Sequence, residues 1–277
     1  MSDVLGRERN DGVLVLTLNR PERLNALNPP LMRALVEATR EAAEDAQVGV
    51  VVLRGAGRGF CGGGDIAAAS DRSKKEAGEP AADQGAKPRA ETTESRTAWL
   101  RASMEAVRFL HEMPKPTIAM VHGAAAGAGL CLAAACDFRI AAENAVFTTA
   151  FVKVGFSGDY GGTYFLSRLL GGAKARELYF LGDRIDAAEA LRIGLVGKVV
   201  PLEALEGEAM SLSRRLAKGP LVAHRYMKRA LVAAESSRLE EILDLEAESQ
   251  TLSGMTEDHR EAARAFLEKR EPVFKGR

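Results

Sequence analysis

The sequence predicts an α/β domain over residues 1–200 followed by a helical region over 201–277. Three observations point there. Apolar runs of strand and helix period alternate along the first two hundred positions, two runs of small residues sit where strands hand over to the next element, and three successive helical periodicities fill the last sixty or so residues. With 277 residues, 46% of them hydrophobic, the chain can bury one large core.

The elements follow in order. Gly12–Asn19, GVLVLTLN, alternates apolar residues with Thr and ends at Asn-Arg-Pro, a strand running into a loop. Pro29 and Pro30 open a helix in which Leu31, Ala34, Leu35, Ala38 and Ala42 recur at helical spacing. From Val48, VGVVVLRG is a continuous β-branched run, as in a strand buried on both faces. Between Ala67 and Arg96 there is no Val, Ile, Leu, Met, Phe, Tyr, Trp or Cys, so a mobile insertion is expected there, either a disordered segment or a lid near a site. A helix is expected from about Thr97 to Glu112, stopped by Met-Pro-Lys-Pro. Strands at TIAMVHG and DFRIAA follow, and a mainly helical chain from Gly161 on.

Charge and cysteine content exclude several classes. Lys+Arg and Asp+Glu number 38 each, which argues for neither a nucleic-acid nor a membrane-surface partner. No apolar run reaches the length of a membrane span. Cys61, Cys131 and Cys136 are too few and odd in number for a disulfide framework, and MSDVLGRERNDG has no leader-like character, so a cytoplasmic location is expected. Cys131 and Cys136 lack partners at zinc spacing, and no metal is expected.

The small-residue runs carry the chemistry. Phe60-Cys61-Gly62-Gly63-Gly64-Asp65 and Gly123–Cys131 (GAAAGAGLC) each follow a strand. Without side chains a ligand can approach the backbone, and free N–H groups at a helix start carry the positive end of its dipole. Two such groups aimed at one oxygen form an oxyanion hole. Gly and Ala would equally suit close packing of a helix on a sheet.

These stretches resemble the enoyl-CoA hydratase/isomerase (crotonase) family over almost the whole chain. The resemblance is carried by NRPERLNALN at 19–28, VVLRGAGRGFCGGGDI at 51–66, KPTIAMVHGAAAGAGLCLAAACDFRIAAENAVF at 115–147, GGTYFLSRLLG at 161–171 and GLVGKVVP at 194–201. It implies a crotonase spiral of ββα turns over 1–200, a C-terminal trimerisation region over 201–277, and a homotrimer or a hexamer built as a dimer of trimers. The implied substrate is an acyl-CoA thioester, with coenzyme A as part of the substrate and no separate cofactor. The oxyanion donors would be the N–H groups of Gly64 and Ala128. Arg23, Ala26, Gly62, Asp65, Ile66 and Gly127 would line the path of the CoA thioester, and Phe274 and Lys275 of the C-terminal EPVFKGR would reach CoA bound to a neighbouring subunit.

Hydratases of the family carry two glutamates that hold and activate water; the matching positions are Cys131 and Phe151, neither a carboxylate. A carboxylate does stand at Asp159, in GFSGDYGGT, where certain isomerases of the family place one. A desolvated carboxyl there could move a proton between the α- and γ-carbons of an enoyl thioester. Asp159 could instead be a turn or N-cap residue for the helix that follows. The expected activity is an enoyl-CoA double-bond shift. Hydration or hydrolysis on the same scaffold, or a silent acyl-CoA-binding protein, are the alternatives. His122, beside the second run, could act as an acid or base or be a packed, hydrogen-bonded residue.

Overall fold

The computed structural model describes residues 4–65 and 92–277. The first two strands, β1 (Leu5–Asn10) and β2 (Val13–Leu18), pair antiparallel around Asp11 and Gly12, both at positive φ. The sequence pattern does not announce β1, because it is an edge strand whose Arg7, Glu8 and Arg9 face solvent. The helix expected after the two prolines is α1 (Pro29–Glu44). Asn28 caps it by accepting the N–H of Leu31 at 3.0 Å, and the helix buries Leu31, Leu35, Ala38, Thr39 and Ala42.

β3 (Val50–Gly55) lies parallel to β2 and is buried on both faces. Val51 and Leu53 join the core under α1, whereas Val50 and Val52 join a second core on the other side of the sheet. The helical stretch expected from Thr97 begins earlier. Thr92 caps α2 (Thr93–Ser103) through the N–H of Ser95, so residues 93–96 are helix rather than insertion. The rest of that expected insertion lies outside the described residues. α3 (Glu105–Glu112) continues after a break at Met104.

Two turns of strand, strand, helix come next. β4 (Thr117–Val121), β5 (Ala124–Ala126) and α4 (Ala128–Ala134) make one; β6 (Phe138–Ala142), β7 (Val146–Thr148) and α5 (Gly162–Leu181) make the other. A last partial turn holds β8 (Ile185–Asp186), α6 (Ala187–Arg192) and β9 (Lys198–Val200). One set of strands forms a six-stranded sheet in the order β1-β2-β3-β4-β6-β9, and the other a three-stranded sheet in the order β5-β7-β8. This is the ββα progression that the resemblance implies. α5 reverses at Gly171 (φ 77, ψ 157), which makes it two helical halves.

α7 (Leu202–Ala217) covers the second face of the large sheet through Leu205 and Ala209. α8 (Leu221–Ala234), α9 (Leu239–Gly254) and α10 (Glu257–Glu268) complete the chain. Among the described residues, no helix is long and apolar enough to cross a membrane.

Candidate active site

The first wall of the site is built by the loop at 19–28 and the glycine run at 60–65. Asn25 is fully buried, and its Nδ2 donates to the carbonyls of Ala56 and Gly59 at 2.8 Å each, stitching the two loops together. The N–H of Leu27 donates to Gly63 O at 2.7 Å and that of Asp65 to Leu27 O at 3.1 Å. In this parallel bridge the N–H of Gly64 is turned away from Leu27. Arg20 donates to the Ala26 carbonyl and pairs with Asp65 at 2.9 Å, both side chains largely buried.

The second small-residue run packs against this wall backbone to backbone. Ala126 N donates to Cys61 O at 2.9 Å, and a Cβ at Gly129 would strike the Cys61 carbonyl. Gly127, at φ 51, caps α4, which leaves Ala128 as the first helical residue with an N–H that no helical carbonyl can accept. A Cβ at Gly63 would lie 2.8 Å from Ala126 O and 3.7 Å from Ala128 N. By standard bond lengths the amide nitrogens of Gly64 and Ala128 are then within about 8 Å of each other. Gly64 is exposed, and a Cβ there would meet nothing within 4 Å among the described residues. Ala26 and Gly62 are half-buried on the same wall, with Gly62 N donating to Leu24 O at 2.7 Å; Arg23 is exposed on a 3-10 turn at Pro21–Arg23. Ile66 lies outside the described residues.

The opposite wall gathers Cys131, Phe151 and Asp159 with a residue that the sequence did not single out, Tyr179. Phe151 starts the 3-10 turn Phe151–Val154, stacks on Tyr179 with ring centroids 6.0 Å apart, and passes 3.5 Å from where a Cβ of Gly127 would be. Cys131 is buried on α4. Burial pushes its thiol far up, and the charge of Asp159 adds to this, so it is an inert thiol.

Asp159 sits in a turn of unusual backbone, with Gly158, Tyr160 and Gly161 all at positive φ. Tyr160 accepts that conformation while its ring is fully buried and its hydroxyl meets Ser103 Oγ at 3.2 Å. The carboxyl does not cap α5: the N-cap is Gly161, with no side-chain cap bond, and Asp159 Oδ1 is buried without a hydrogen-bond partner among the described residues. The capping alternative is therefore excluded. Burial raises the carboxyl to about 6. His122 is half-buried and hydrogen-bonded, its Nε2 donating to the Gly57 carbonyl at 2.8 Å.

Phe274 and Lys275 lie in the C-terminal tail. Their tail folds onto α10 of its own chain, where the buried Asp258 accepts the N–H groups of Lys275 at 2.6 Å and Gly276 at 2.9 Å.

The sequence model of the enoyl-CoA hydratase/isomerase family matches residues 8–277. The chain belongs to that family. It is 41% identical over 266 residues to the 1,2-epoxyphenylacetyl-CoA isomerase of Escherichia coli (strain K12), covering 96% of each chain. A solved structure from Streptomyces coelicolor A3(2) is 37% identical with a TM-score of 0.90, covering 99% of this chain and 94% of that one. An enoyl-CoA hydratase structure from Bacillus anthracis is 32% identical with a TM-score of 0.86, covering 99% of this chain and all of that one. The fold is thus the crotonase fold, and the names of these family members divide between isomerase and hydratase.

Proposed function

We propose that this enzyme shifts a C=C bond of an enoyl-CoA thioester, with Asp159 as proton shuttle. The observation that carries this reading is the contrast on one wall. At the positions where hydratases of the family carry glutamates stand a buried thiol and a phenyl ring, and the carboxyl that remains, Asp159, has its pKa raised to about 6 by burial. That value suits a group that must both take and return a proton near neutrality.

In the reaction, the Asp159 carboxylate removes a proton from the α-carbon of a 3-enoyl thioester. The electron pair moves into the carbonyl and the thioester becomes a dienolate, its oxygen facing the N–H groups of Gly64 and Ala128, whose fixed dipoles favour the charge without reorganising. The carboxylic acid then returns the proton to the γ-carbon, the pair flows back, and a 2-enoyl thioester leaves. No water or cofactor is consumed, and CoA arrives as part of the substrate. Arg23, Ala26, Gly62 and Asp65 border the wall along which the CoA portion would run. The name of the Escherichia coli relative suggests that acyl groups other than straight chains belong on a substrate panel.

Assay of the purified protein on 3-enoyl- and 2-enoyl-CoA, with Asp159→Asn in parallel, tests this reading. Isomerisation that the variant loses supports it, and isomerisation that the variant keeps refutes it. A 3-hydroxyacyl-CoA product would favour hydration, free CoA hydrolysis, and tight binding without turnover a silent binding protein.

We also propose that the chain works as a homotrimer or a dimer of trimers. Met227, Leu231, Leu239 and Leu243 expose apolar side chains on neighbouring helices α8 and α9, a surface that a subunit contact would cover. Phe274 and Lys275 of the C-terminal tail would then reach a neighbour's CoA. Light scattering at micromolar concentration should give three or six times the 29.7 kDa chain mass, and a monomer would exclude the arrangement.

A further inference from the structure

Two buried polar atoms on the acyl-side wall, Asp159 Oδ1 and Tyr179 Oη, have no hydrogen-bond partner among the described residues. An unpaired buried polar group costs folding energy and calls for an explanation. The two share one corner. Tyr179 belongs to the second half of α5, which the reversal at Gly171 sends back toward the helix start. Its ring lies under the turn at 158–162 that carries Asp159. A Cβ at Gly158 would be 2.8 Å from Tyr179 Cε1 and 3.4 Å from Oη, and one at Gly162 would collide with both Oη and the Cys131 sulfur. Glycine on both sides of Asp159 is what admits the phenol. The charge of Asp159 acts on Tyr179 and on Cys131 alike, as expected of groups this close.

Among the described residues, ionisable groups come from each of the elements around Asp159. From α4 comes the thiol of Cys131, a weak donor. From its own turn comes Tyr160, whose hydroxyl already meets Ser103. From the 3-10 turn at 151–154, Lys153 is exposed and pairs with Asp183 at 3.5 Å. From α5 comes Tyr179, a strong donor whose hydroxyl meets no nitrogen or oxygen partner among the described residues and has only the Cys131 sulfur, a weak acceptor, beside it.

We propose that Tyr179 is a positioning residue for Asp159: when a substrate fills the cleft and the carboxyl turns to meet it, the phenol donates a hydrogen bond to Oδ1 and holds the carboxylate in its proton-accepting form. This rests on the reading of Asp159 as proton shuttle. The bond stabilises the charged carboxylate, so it lowers the proton affinity that burial has raised. The phenol itself keeps its proton throughout, since burial pushes it well above its ordinary range.

Tyr179→Phe tests the inference, because it keeps the ring stacked on Phe151 and removes only the hydroxyl. On a 3-enoyl-CoA, the acid limb of kcat, which reports the enzyme–substrate complex where the bond forms, should move up by about one pH unit, the size of one hydrogen bond to the charged form, and kcat below that limb should fall about tenfold. A purely structural role would lower the melting temperature instead, which should stay level or rise once an unpaired hydroxyl is gone. The second readout needs no turnover: 13C NMR titration of the Asp159 carboxyl carbon, its signal identified by its loss in Asp159→Asn, with a saturated acyl-CoA bound. The titration should lie about one unit higher in Tyr179→Phe than in the unaltered protein. A titration unmoved by the substitution overturns the inference. Isomerisation that survives Asp159→Asn would refute the shuttle instead, and the carboxyl titration then decides the pairing of the two residues by itself.

Discussion

The two walls of the cleft treat their aspartates in opposite ways. Asp65 is tied at 2.9 Å to Arg20, inside a wall where Asn25 and the backbone of two loops bind one another through many hydrogen bonds. Asp159 Oδ1 is buried with no hydrogen-bond partner among the described residues, beside the Tyr179 phenol, whose neighbour is the Cys131 sulfur. The first wall is held together by hydrogen bonds within the protein. In the second, Oδ1 of Asp159 is left unbonded among the described residues, which on the proposed reading leaves it for a substrate and for Tyr179. A carboxylate's surroundings, and not its presence near a cleft, decide whether it holds the structure or moves a proton.

Three substitutions sharpen that contrast, and the largest effect belongs to Asp159. Asp159→Asn should lower the isomerisation kcat by about 10³–10⁴-fold, the upper range for loss of a general acid–base group. It should also stabilise the fold at pH 7. The folded-state pKa of about 6 lies above the ordinary aspartate value of 3.8, so the stability associated with protonating Asp159 is fully present below the lower value and lost as pH rises through about 6. The advantage of the variant in melting temperature should accordingly shrink between pH 7 and pH 5. A destabilised Asp159→Asn would place this residue with Asp65 as a structural group.

Next comes Gly64→Pro, which removes one amide donor from the first wall. Its expected cost is about 10²–10³-fold in kcat, with acyl-CoA affinity changed far less, since the donor acts on charge that builds during reaction. Comparable losses of kcat and affinity would mean that the glycine run serves CoA binding alone. The smallest effect on turnover is expected of Asp65→Ala. Breaking a mostly buried ion pair strands Arg20 and should cost about 3 kcal/mol in denaturant unfolding, with the activity of the molecules still folded reduced only a few-fold. A loss of kcat as deep as that of Asp159→Asn, at unchanged stability, would dissolve the distinction between the walls.

Much of the first wall can be read from the chain, because its chemistry is backbone chemistry. Glycines at 62–64 and the run from Gly123 announce close main-chain approach, and each follows a legible strand. The second wall is harder. Asp159 could be seen in its local context, but an Asp before glycines and a helix fits an N-cap equally well until the capping bond is found missing. Tyr179 carries no sequence signal. It stands in an ordinary helical stretch, and only the reversal at Gly171 brings it beneath the turn at 158–162. The edge strand β1 escaped for a related reason: its charged residues face water, and its pairing comes from the hairpin rather than from any apolar period.

By itself the sequence determined the alternation of strands and helices, the continuous apolar strand at the centre of the sheet, the two small-residue runs and the family. All of these depend on patterns among residues near each other in the chain. Only the tertiary structure decided that Asp65 pairs with Arg20, that Oδ1 of Asp159 has no hydrogen-bond partner among the described residues, and that a phenol twenty residues further along lies under the same turn. Burial and hydrogen-bond partnership are properties of what surrounds a group in space, and they set its proton affinity.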